Sequence, residues 1–137
     1  MDDMMQPERP TGGITPFLAI RDNRGAEALA LYERAFGAEV VERNLAQDGE
    51  RIMQASVKLN GGWVMLADAF PEFGHNVKAP AAVTLHLQVE DADRWFARAV
   101  EAGCTVTMPL ANQFWGDRYG QFTDPFGHNW SIGAALR

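Results

Sequence analysis

Ala35-Phe36-Gly37-Ala38-Glu39-Val40 returns 66 positions later as Glu101-Ala102-Gly103-Cys104-Thr105-Val106. At the same offset Trp63-Val64-Met65-Leu66 falls on Asn129-Trp130-Ser131-Ile132. In each hexapeptide the glycine ends a stretch of helically spaced apolar residues and precedes a β-type stretch, so each copy marks a helix stop feeding a strand. Asp22 and Asp91, which close the extended segments before the two helices, lie 69 apart. The register slips by a few loop residues and then holds, as expected for one unit used twice.

Outward from Gly37, the apolar set Ala28, Leu29, Leu31, Tyr32 and Ala35 predicts a helix over 25–36, preceded by a strand over 14–20 whose Pro16 suits an edge or first position. Strands over 38–45, 51–59 and 63–67 follow, joined through Gln47-Asp48-Gly49 and Asn60-Gly61, both strong hairpin signals. In the second copy, 83–89 alternates, which sets Thr84, His86 and Gln88 on one face and four aliphatic residues on the other. Asp91 is an N-cap candidate, Trp95, Phe96, Ala99 and Val100 stripe the helix, and Gly103 ends it. Strands over 105–108, 118–123 and 128–134 complete the copy, with Asp124-Pro125-Phe126-Gly127 as the last turn. The expected architecture is α+β: two βαβββ modules in a pseudo-two-fold arrangement, with curved, partly open sheets around a groove. Residues 1–13 read as a flexible tail and 14–137 as a single domain. Within it 14–69 form the first module, 70–81 a linker broken by Pro71, Gly74 and Pro80, and 82–135 the second module.

The 137 residues are enough for one domain with a real core. With 47% apolar and 22% charged residues the composition is that of a soluble globular protein. No apolar run approaches the ~18 residues of a membrane span. A net charge of −6 and the lack of a basic face argue against nucleic acid as a partner. The first 13 residues lack the basic start and apolar stretch of a secretory signal. Cys104, the single cysteine, cannot form an internal disulfide and reads as a small core residue in a reducing, cytoplasmic compartment. No nucleophile motif, phosphate-cradling loop or dinucleotide fingerprint is present.

Val89-Glu90-Asp91-Ala92-Asp93, Asp124-Pro125-Phe126-Gly127-His128 and Leu31-Tyr32-Glu33-Arg34-Ala35-Phe36-Gly37 resemble the junctions of the vicinal oxygen chelate superfamily. That group contains glyoxalase I, bleomycin-binding resistance proteins and extradiol dioxygenases. Trp115-Gly116-Asp117-Arg118-Tyr119-Gly120, joined to the last turn, is similar to its PhnB-like branch. The resemblance implies metal ligands on the first and last strand of each module, at positions matching Thr15, Met65, Thr84 and Ser131. Hydroxyls that do not ionise near neutral pH and a soft thioether are poor donors for zinc, iron, nickel or manganese. A metal-free site without cofactor is therefore expected.

Strand parity names the groove wall: Thr15, Phe17, Trp63, Met65, Thr84, His86 and Ser131, with Gln54 if it points the same way, and Trp115 and Arg118 at the second hairpin. Such a lining suits a small organic molecule with a flat or apolar body. The expected function is metal-free small-molecule binding. The alternative is a lyase or isomerase using His86 as general base, since its ordinary pKa of about 6.5 suits proton transfer, or using a metal at an unrecognised site. A homodimer is expected, covering Trp115 and the Phe70–Phe73 segment.

Overall fold

The computed structural model describes residues 7–137; residues 1–6 of the expected tail lie outside the described residues. The first βαβββ series comprises β1 (Phe17–Ile20), α1 (Gly25–Phe36), β2 (Glu39–Leu45), β3 (Ile52–Leu59) and β4 (Gly62–Asp68). The second comprises β5 (Thr84–Gln88), α2 (Ala92–Ala102), β6 (Thr105–Asn112), β7 (Asp117–Thr123) and β8 (Asn129–Ala135). Each series makes one four-stranded mixed sheet, in the orders β1-β4-β3-β2 and β5-β8-β7-β6. In both, the first strand runs parallel to the last, and the hairpin-linked strands are antiparallel.

The local chemistry explains the boundaries. Gly37 takes the left-handed conformation at φ 66° and donates its N–H to the Glu33 carbonyl. Asn60 and Gly61, at φ 49° and 78°, make the tight turn that an Asn-Gly pair favours. Pro16 has no N–H for a ladder, so β1 starts at Phe17 rather than Ile14, although the Pro16 carbonyl still accepts from Met65 N–H at 2.8 Å. Conversely, β6 runs on to Asn112 through Pro109, past the expected end at 108, because an edge strand tolerates a missing donor.

The two helices are capped differently. Asp91 Oδ1 accepts from Arg94 N–H at 3.1 Å and caps α2 from the adjacent sequence position. Arg24 gives α1 no side-chain cap. Instead Asp68, at the far end of β4, accepts from Gly25 N–H through Oδ1 at 2.7 Å. Its other oxygen accepts from Ile52 N–H, also at 2.7 Å. A Cβ at position 25 would stand 2.6 Å from that carboxylate, so only glycine fits there.

Contacts divide the chain into two compact units, residues 7–33 with 37–77 and residues 34–36 with 78–137. In the first, Leu18, Ile20, Ala55, Val57, Leu59, Val64 and Leu66 bury one face of the sheet. In the second, Phe96 packs on Phe122 with ring centroids 5.6 Å apart, and Phe36 lies 4.7 Å from Trp130. Burying side chains of this size stabilises by roughly 1.5–3 kcal/mol each. Asp124 fixes the last turn by accepting from the N–H groups of Phe126 and His128 and from the Trp130 indole. Cys104 is buried as expected, and burial, with Asp124 adding, pushes its thiol up to about 12.

Candidate functional site

On the first sheet, register brings Phe17 beside Met65 and Met65 beside Ser56, a row across β1, β4 and β3. Lys58 pairs with Trp63 two residues along, its ammonium 5.7 Å from the indole. Gln54 donates to Ser56 Oγ at 2.7 Å and accepts from Asn44 Nδ2 at 2.8 Å. Thr15 precedes β1 and is half-buried.

Simple alternation along β3 would send Met53 to the buried face. It does not go there. Asn44 pairs with Gln54 and Leu45 with Ile52, so Met53 is an extra residue in the ladder. This β-bulge shifts the parity: Ile52 and Ala55 are both buried, while Met53 and Gln54 turn to the open side. A second bulge sits at Val41, between the Val40–Val57 and Glu42–Ser56 pairs. Its counterpart in the second sheet is Thr107, between Val106–Phe122 and Met108–Gln121. Val41 and Thr107 are again 66 apart, so the repeat extends to its irregularities.

Re-aimed by its bulge, Met53 helps to line a cavity of about 810 Å³ in the first unit. Phe17 and Ala19 contribute from β1, Ala67 and Asp68 from β4, Asp48 and Arg51 from the β2–β3 turn, and Phe70, Phe73, His75 and Val77 from the segment after β4. Phe17, part of this lining, is 55% exposed. Arg51 ties two walls together, with Nε donating to Asp48 at 2.7 Å, Nη2 to Glu72 at 2.6 Å, and its guanidinium 4.5 Å above the Phe70 ring. These bonds hold Asp48 well below its usual value, at about 2, and lower Glu72 as well. Of the residues expected in the site, Phe17 lines this cavity. Arg51 and Met53 are additions that alternation did not single out, and Phe70 and Phe73 were named only as apolar surface for a subunit contact. Two phenylalanines within an otherwise polar, proline-broken stretch were the available signal.

On the second sheet, His86 lies in register with Ser131, while Thr84 lies beside Asn129. His86 Nε2 is 2.7 Å from Gln88 Oε1, which can only accept, so this nitrogen carries hydrogen. In the neutral ring Nδ1 then accepts from the Ser131 hydroxyl at 2.8 Å. The Gln88 amide nitrogen faces Asp117 at 3.4 Å, consistent with that orientation. Gly133 leaves the space: a Cβ there would stand 2.9 Å from the imidazole. Tyr119 stacks on His86 at 5.8 Å, Trp115 meets Tyr119 edge-on at 5.5 Å, and Phe114 meets Trp115 at 5.3 Å. Arg118 turns to α2 instead, forming a two-pronged pair with Asp93 at 2.9 and 3.0 Å and donating to Asn112.

The positions that the resemblance assigns to metal ligands carry a thioether, two threonine hydroxyls and a serine hydroxyl already bonded to His86. Ser131 is 1% exposed. Among the described residues, no group of three or more His, Cys, Asp or Glu is placed to hold a metal ion. This donor set does not fit a first-row divalent ion.

Residues 14–132 match the model of the glyoxalase/bleomycin resistance protein/dioxygenase superfamily. The chain belongs to that superfamily. This member is 41% identical over 130 residues to the Mycobacterium tuberculosis protein Rv0887c, covering 90% of this chain and 75% of the relative. Its fold is similar to that of PA1353 from Pseudomonas aeruginosa, with a TM-score of 0.77, 23% identity, and coverage of 93% of this chain and 100% of the other. A PhnB protein from Bacillus cereus gives a TM-score of 0.73 at 23% identity, with coverage of 90% and 100%. At these identities the two structures speak for the fold alone. No described helix is long and apolar enough to cross a membrane.

Proposed function

We propose that this superfamily member binds a small organic molecule and does so without a resident metal. The observation that carries the reading is the cavity of about 810 Å³ walled by Phe17, Met53, Phe70 and Phe73, within the roughly 300–1,000 Å³ of ligand pockets. Its walls are apolar, with a few charged groups at defined places, as in small-molecule sites. His86 supports binding over base catalysis. Its one basic lone pair faces the Ser131 hydroxyl, and its N–H faces Gln88, so a substrate would have to displace Ser131 to be deprotonated. The lone Cys104, buried and unpaired with another cysteine, suits a cytoplasmic setting.

Native mass spectrometry of protein purified from its source tests the reading. A retained organic adduct is expected, lost in Ala19→Phe, which fills the cavity from β1. Elemental analysis of the same sample is expected to find far less than one first-row metal per chain. If no compound in a broad library shifts the melting temperature, the binding reading fails. One chelator-removable zinc, nickel or iron per chain, lost together with an activity, would put the enzyme in its place.

A further inference from the structure

We infer that the first-unit cavity takes an uncharged molecule with an apolar body, held against the segment 70–77, and that Arg51 fastens this segment instead of binding the ligand; the inference rests on the binding reading and adds the ligand's charge. The charged groups around the space are already matched within the protein. Asp68 shares the buried face of β4 with Val64 and Leu66, and its oxygens accept from Gly25 and Ile52 N–H on the α1 side of the sheet. Ala67, on the other face, meets the cavity together with Ala19, its register partner on β1. Arg51 donates to Asp48 at 2.7 Å and to Glu72 at 2.6 Å, and its guanidinium covers the Phe70 ring. His75, the remaining titratable group of the lining, is exposed.

An ion entering this space gives up its hydration for walls that offer it no free partner. An anion would have to take Arg51 from two carboxylates that repel it. A cation would find Asp48 and Glu72 engaged with Arg51, on side chains 37% and 45% exposed, where water and salt screen the charge that remains. An uncharged molecule meets only the apolar side chains Phe17, Met53 and Phe73, which are exposed and gain by being covered. The wall that covers it is lightly held. The turn Pro71–Phe73 has no buried residue. Among the described residues the backbone bonds of this stretch close on themselves, Phe73 and His75 N–H donating to the Phe70 carbonyl and Gly74 N–H to that of Pro71. Just before it, Ala69 N–H anchors the chain to the Ile20 carbonyl at 2.8 Å. Beyond that anchor Arg51 is the polar tie to the β2–β3 turn, so one exposed ion pair and one ring contact set where Phe70 and Phe73 stand.

Naphthalenemethanol, naphthylmethylammonium and naphthylacetate share one body and differ in charge, and calorimetry on the full chain ranks them. The alcohol is expected to bind at least about tenfold more tightly than either ion, and Ala19→Phe to abolish its binding. Arg51→Met and Glu72→Gln should each weaken the alcohol about threefold, the scale of an exposed ion pair. The double substitution should weaken it no further, and the order of the three probes should stay the same. Bound alcohol should also slow amide exchange over residues 70–77 in the unsubstituted protein, and much less in either variant. Ammonium or acetate binding as tightly as the alcohol overturns the inference and leaves the binding reading intact. Selective loss of the acetate in Arg51→Met, or losses that add in the double variant, would make Arg51 a ligand contact and overturn it as well. If the alcohol does not bind, or binds Ala19→Phe equally well, the binding reading falls and the inference with it.

Discussion

Asp68 joins three parts of the first unit through one side chain: the end of β4, the first turn of α1 and the bulged start of β3. Asp68→Asn keeps the shape but offers one accepting oxygen, so one buried N–H loses its partner, at a cost of about 1–3 kcal/mol. Urea denaturation is expected to show this loss with an unchanged m-value, and a change below 0.5 kcal/mol would mean that the amides find other partners. Gly133 is the corresponding single point in the second unit. Gly133→Ala should push the imidazole off Gln88, and the nitrogen resonances of His86 should report it; unchanged shifts would show that the ring has room the geometry does not allow. Both residues are identifiable in the sequence, but their roles are not. An Asp at a strand end and a Gly within a strand each have many uses, and the choice depends on which backbone passes nearby.

The turn of Pro71–Phe73 is an element with little structure of its own and is held in place by Arg51. Arg51→Ala should free it, raising amide exchange over residues 70–77 while the β3–β4 ladder stays protected. Uniform exchange in both proteins would assign the turn's order to another contact. The pH dependence has a definite sign. Asp48 has its ordinary 3.8 depressed to about 2, chiefly by its bond to Arg51 and next by the N–H groups of Glu50 and Arg51. A depressed carboxylate contributes stability above its unfolded value and loses it as pH falls through the folded one. The Asp48–Arg51 contact should therefore persist at pH 4 and release near pH 2, as a carboxyl carbon titration of Asp48 would show; a midpoint near 3.8 would mean that no such contact forms in solution. At this scale the helices, their glycine stops and the Asn-Gly turn were legible, since each is fixed by neighbours in sequence. The bulges were not. An extra residue in a ladder leaves no mark until the partner strand is known.

At the scale of the whole molecule, several large apolar side chains are exposed. Phe114 is 96% exposed and Trp115 50%, at one hairpin tip, and Phe73 and Ile14 are exposed as well. The proposal is a homodimer. Sedimentation at micromolar concentration should give twice the 15.1 kDa chain mass, and Trp115→Asp should shift it toward monomer. A single 15.1 kDa species in the unsubstituted protein would reject it.

The sequence by itself determined that one βαβββ unit is used twice, with its order of elements and its helix stops. These follow from periodicity and turn chemistry, which act over a few residues and repeat at a fixed offset. It also placed Phe17 and His86 on open faces, because β5 and β1 are regular and parity holds along them. Only the tertiary structure decided that Met53 enters the cavity, that the stretch read as a linker supplies its aromatic wall, and that His86 has both ring nitrogens engaged. It likewise turned Arg118 toward Asp93. Each of these depends on a contact between residues distant in the chain, where cross-strand register and the backbone's path, rather than local preference, set which groups meet.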